Sequence, residues 1–161
     1  MKGRRKPVLS IVLLSVMLFP LCAAAKSSHS FESDAFFPQN ACSAGYRFDC
    51  LWEGNDTVSY GFMLSAGYGI EHFTRFGSNA LICGPYLETG PEIGIACGNG
   101  ITWHVYVSAV ASYPLYPDIL RGAAGADIRF ALGGSFFAGL GAGVLFPAWN
   151  ARIRVILGAG L

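Results

Sequence analysis

Titratable side chains are sparse in this chain, and many stand two residues apart: Glu32 and Asp34, Arg47 and Asp49, Asp127 and Arg129, Arg152 and Arg154. Glu71 and Arg75 are four apart, as are Glu88 and Glu92, and His104 sits among apolar neighbours. Spacings of two and four put both members of a pair on one face of a β-strand. Carboxylates and arginines gathered on one confined face must pair with each other, because an unpaired buried charge is very costly. The chemistry this set suggests is therefore an ion-pair network. Nucleophilic catalysis would need a base and an orienting group within reach of the nucleophile. His72 and Thr74 come nearest to such a set, but no matching Glu lies on their face. No C-x-x-C or His/Cys cluster accompanies Cys42, Cys50, Cys83 and Cys97, so no metal, cofactor or catalytic residue is expected.

The elements that carry these residues read as strands. Phe136, Ala138, Leu140, Ala142, Val144 and Phe146 share one parity, against Gly139, Gly141 and Gly143 on the other. Tyr60 to Ile70 alternate with Gly61, Ser65 and Gly67, and Trp103, Val105 and Val107 alternate with His104 and Tyr106. Ile153, Val155 and Leu157 alternate with Arg152 and Arg154. Alternation this sustained indicates strands over about 44–52, 58–75, 80–97, 101–113, 121–132, 135–146 and 150–161, with a weaker one near 30–37. Asn99-Gly100 is a strong hairpin signal, Gly133-Gly134 is another, and Gly54–Asp56 and Phe76–Asn79 also read as turns. Pro38–Ser43, Pro114–Asp118 and Pro147–Asn150 are wider breaks. Eight antiparallel strands in one domain suggest an up-and-down barrel.

The N-terminus reads as an export signal: MKGRRK is a basic segment, Val8 to Leu21 is apolar, and Ala23-Ala24-Ala25 fits a cleavage site. The expected division is a signal peptide over 1–25 and a barrel domain over 26–161. The 161 residues are 53% hydrophobic and only 13% charged, where ordinary globular domains carry about 25% charged residues. A formal net charge of +1 supplies no basic patch for nucleic acid. In an exported chain the cysteines could pair. On this register, though, Cys50, Cys83 and Cys97 face outward and stand too far apart, so free thiols are expected.

Alternation alone does not say which face is outside, and a soluble lipocalin-like periplasmic barrel would put the apolar set inward. Three observations favour apolar-out. Past the leader the chain holds one lysine, Lys26, far too little charge for a soluble surface. No charge falls on an apolar face: Lys26, Glu53, Asp56, Asp118 and Arg121 are assigned to the leader-proximal segment or to breaks, and the rest share the other parity. Aromatic residues mark strand ends: Trp103 and Tyr113, like Phe136 and Phe146, are ten residues apart. Ten tilted residues rise about 26 Å, close to the roughly 25 Å apolar band of an outer-membrane barrel. The aromatics expected at the lipid interface are Trp52, Tyr60, Tyr68, Trp103, Tyr113, Phe136 and Phe146. The expected lumen network is Glu32, Asp34, Arg47, Asp49, Glu71, Arg75, Glu88, Glu92, His104, Asp127, Arg129, Arg152 and Arg154. Closure should set the first and last strands side by side, so that Glu32 and Asp34 meet Arg152 and Arg154.

A leader, eight alternating strands and the terminal run VILGAGL together resemble the small OmpA/OmpX/OmpW-like outer membrane β-barrel family, as a divergent member ending in Leu161 where Phe is usual. The resemblance implies an all-β, eight-stranded antiparallel transmembrane barrel in the outer membrane of a diderm bacterium. Its partners would be outer membrane lipid, the barrel assembly machinery during insertion and an external ligand of unknown kind. It implies a structural or surface-interaction role without enzymatic activity, over a lumen plugged by charged side chains. A narrow channel or OmpW-like transporter for small solutes is the alternative within the family. The lipid A deacylases of this architecture use an outward His-x-Ser pair with a Glu; here Thr74 replaces the Ser and the Glu is missing.

Overall fold

The computed structural model describes residues 25–38, 40–75, 78–112 and 120–160, leaving aside the side chains of 72–80. The expected leader, Tyr113, the Pro114–Asp118 break and the side chains of His72, Thr74 and Arg75 lie outside the described residues. Eight strands follow one another: β1 (Lys26–Phe37), β2 (Ala41–Glu53), β3 (Val58–Arg75), β4 (Ser78–Gly98), β5 (Ile101–Ser112), β6 (Leu120–Gly133), β7 (Phe136–Phe146) and β8 (Asn150–Gly160). Each pairs antiparallel with the next, and β8 pairs with β1, so the sheet closes without an edge. The first strand begins at Lys26, four residues before the sequence boundary, because Lys26 to Ser30 pair with Leu51 to Arg47 on β2. β3 and β4 are the longest strands, with 18 and 21 residues. Their outer halves rise past Ala41 of β2 and Ser112 of β5, the last residues of those strands to pair with them.

Turn chemistry fixes the register. Asn99 and Gly100 both have positive φ, 53° and 74°, as a two-residue primed turn requires. Pro91 has no N–H to give, and the β4–β5 pairing is interrupted between Thr89↔Ala109 and Glu92↔Tyr106 without a change of register.

Side chains divide by parity as the sequence suggests. Phe31, Tyr68, Val107, Leu140 and Leu157 stand on the outside, more than half exposed to the surroundings or about half. Arg47, Asp49, Ser65, Asp127 and Arg154 are fully enclosed within the ring of strands. This is the reverse of a soluble barrel: the greasy surface faces out and the charges face in. Glycines on the inner parity admit this filling. A Cβ on Gly61 would overlap the carbonyl oxygen of Cys50, and one on Gly90 would overlap that of Val107. Gly61→Val is therefore expected to cost about 1–3 kcal/mol through overpacking. Urea unfolding of the barrel checks it, and an unchanged midpoint would mean that β2 and β3 do not approach so closely.

Cys42, Cys83 and Cys97 are exposed free thiols, and Cys50 is buried. Arg121 corrects the sequence reading. It lies inside β6, not in a break, and on the parity of Asp127 and Arg129 it turns inward beside Glu71. Lys26 and Glu53 likewise belong to strands and pair at the termini end.

Candidate functional site

The lumen is the only interior this fold has, and eight strands leave just enough room for side chains. Two ion-pair layers fill it. In the layer nearer the termini, Arg47 on β2 donates to Asp49 (2.6 Å), to Glu92 on β4 (2.8 Å) and to Asp127 on β6 (2.7 Å). β2 and β6 are opposite walls, so the Arg47–Asp127 contact crosses the lumen. Arg129 donates to Asp49 (2.8 Å), and His104 Nδ1 lies 2.7 Å from Glu92.

In the layer farther from the termini, Arg154 is shared by three carboxylates. Its Nε donates to Asp34 (2.7 Å), its Nη1 lies 3.0 Å from Glu32, and its Nη2 donates to Glu88 (3.0 Å). Arg152 grips Glu88 across the lumen with two bonds, 2.8 and 3.1 Å. Ser65 and Tyr86 donate to Glu32, and Ser108 donates to Glu88. Tyr106 stands between the layers. Its hydroxyl accepts from Arg152 at 2.7 Å, and Arg47, Arg152 and Arg154 all lie 5.2–5.4 Å from its ring centroid.

These contacts are charge-assisted and nearly dry, the strong class of hydrogen bond. Each layer sets two arginines against three carboxylates, with His104 added to the first. Glu32, Asp34 and Glu88 are close enough together to chelate a cation, but the Arg154 guanidinium already reaches all three.

The structure thus gathers eleven of the thirteen residues expected in the lumen into these layers, counting six in the first and five in the second. Glu71 stands apart near the open end, 3.9 Å from Arg121. Arg75 carries no described side chain. Closure brings Glu32 and Asp34 to Arg154, but Arg152 stays 3.9 Å from Asp34 and turns to Glu88. Sequence reasoning missed this cross-barrel choice, and it missed Ser65 and Ser108 as donors. Parity alone could have found Arg121. On the outside, His29 and Tyr46 are hydrogen-bonded beside Phe31 and Phe48, and nothing in the alternation marked them.

Among the aromatics expected at an interface, Trp52, Tyr60, Trp103 and Phe136 ring the termini end, and Tyr68 and Phe146 lie toward the other. Trp52 packs near Phe62, and Phe146 meets Trp149 edge-on at 4.6 Å. Trp149 was not among the expected residues.

No family model matches the chain, and no curated protein does. Solved structures do. The outer membrane protein Ail of Yersinia pestis, in a phospholipid bilayer nanodisc, is 13% identical with a TM-score of 0.55, and the match covers 85% of this chain and 99% of that one. A de novo designed transmembrane β-barrel is also 13% identical, with a TM-score of 0.52 over 84% of this chain and 95% of the design. What the chain shares with a natural outer membrane protein and with a designed transmembrane barrel is the fold itself, which in this chain is a closed eight-stranded up-and-down β-barrel.

Proposed function

We propose that this chain is a small integral outer membrane protein whose lumen is sealed, and whose role is structural or lies at the cell surface rather than in transport or catalysis. The observation that carries the reading is the pair of cross-lumen struts, Arg47 to Asp127 and Arg152 to Glu88. A path for ions would have to break both layers, and each residue in them is at most 6% exposed. The outward apolar face supports lipid as the surrounding partner, and the aromatic rings at its two ends support an interfacial belt. Export and insertion by the barrel assembly machinery belong to the same proposal. On this reading both termini face the periplasm, and the long β3–β4 hairpin faces outward.

The test is planar-bilayer conductance of the protein purified from outer membranes, with gel migration of cold and boiled samples as the check on folding. A closed barrel resists SDS when cold and so migrates differently from the boiled chain. The expected record is a silent bilayer. Discrete openings that scale with salt would overturn the sealed lumen and establish the narrow-channel alternative.

A further inference from the structure

Beyond the second layer, at the end away from the termini, the lumen opens into a cup. Its cavity volume is about 80 Å³. Asp34, Glu88 and Arg152 lie among its lining residues, so the ion-pair layer is its floor. Val110 and Leu145 form an apolar wall with Phe36 packed against it. Glu71 on β3 and Arg121 on β6 face each other near the mouth at 3.9 Å, both still partly exposed. Arg152 is 2% exposed, and its Nε has no hydrogen-bond partner. A buried donor left this way costs free energy, and an acceptor in the cup would recover it only where a small shift of the Arg152 side chain turns Nε toward the cup.

We propose that the cup is a binding site for a small zwitterion with an apolar side chain, such as a free amino acid. Three features select that class. The lining carries three carboxylates, Asp34, Glu71 and Glu88, against two arginines, so a simple anion is repelled. A plain hydrocarbon would leave the Arg152 donor unmet. A plain amine would satisfy Glu71 but none of the arginine donors. A zwitterion offers its ammonium to Glu71 and its carboxylate to the arginines, and it lays its side chain on Val110 and Leu145. Among the described residues, the Glu71–Arg121 contact at 3.9 Å is the ion pair of the cup that lies outside the two layers.

The proposal shares the second ion-pair layer with the sealed-lumen reading, as the floor of the cup, but does not require that layer to block ions. The experiment is calorimetric titration of the full chain, purified in detergent from outer membranes, with L-leucine, isoamylamine and 4-methylpentanoate. The expected result is that leucine binds at least about tenfold tighter than either analogue, the effect of one lost charge-assisted bond. Glu71→Gln should weaken leucine by a similar factor, and Leu145→Trp, which fills the cup, should abolish binding while heat-dependent migration persists. Equal binding of all three probes, tighter binding of the amine, or no heat at all would overturn the proposal. A silent bilayer without leucine binding removes the cup and leaves the seal. Conductance with leucine binding removes the seal and leaves the cup.

Discussion

Arg154→Met is expected to lower the unfolding free energy of the barrel in lipid vesicles by about 3–5 kcal/mol. The guanidinium is fully buried, and Glu32, Asp34 and Glu88 converge on it. Its removal leaves three carboxylates facing one another in a space that water scarcely enters. Arg152, already held by Glu88 and Tyr106, can compensate only one of them. The cost comes from orphaned charge rather than from lost attraction, since a buried ion pair is itself only weakly stabilising against a well-packed apolar replacement. Neutralising the partners in the same chain, as Arg154→Met with Glu32→Gln and Asp34→Asn, should therefore recover at least half of the loss. Urea titrations followed by tryptophan fluorescence measure both. A single-variant loss below about 1 kcal/mol would place the cluster in contact with water.

Leu140→Arg tests the other face. Leu140 sits midway along β7, paired with Ile128 and Val155, and points away from the lumen at 56% exposure. On a water-facing surface such a change stays within about 0.5 kcal/mol. In a bilayer an arginine near the midplane costs about 2–4 kcal/mol. The expected loss is the larger one in vesicles and a smaller one in detergent, where micelle and water can rearrange around the charge. A loss near zero in vesicles would mean that this face does not meet hydrocarbon.

Strand number, order and the inside–outside division were legible because they depend on a period of two and on turn residues, both local properties. The Phe136 to Phe146 stretch shows this: the apolar parity faces out and Gly139, Gly141 and Gly143 face in, with Phe137 and Leu145 as inward exceptions. The start of β1 was not legible. Lys26 to Ser30 carry almost no alternation and become a strand because β2 pairs with all of them and β8 with Ser28 to Ser30. The membership of the lumen set was readable for the same reason as the strands, but its pairings were not. Which wall an arginine reaches depends on side-chain length and on the stagger of closure, and neither is written in spacing. Arg152 bonding Glu88 instead of its near neighbour Asp34 is the clearest instance. The cup was missed because its apolar wall comes from single residues on three different strands, Phe36, Val110 and Leu145, each an exception to its own strand's pattern.

The seam between β1 and β8 has a consequence in time. Asp34 and Arg154 are 120 residues apart in sequence, yet they bond directly across the join between the first strand and the last. Contacts of such long range repay their loop-closure entropy last. Until β8 arrives, the acidic side chains of β1 have no counter-ions from it, and the outer edge of β1 has no neighbour. Closure of the barrel therefore waits on the final strand, and the sheet stays open until the end of the chain has arrived. A chain stalled before Arg152 would present a half-neutralised interior and a free edge together, and could not close as a smaller barrel on the same pairings.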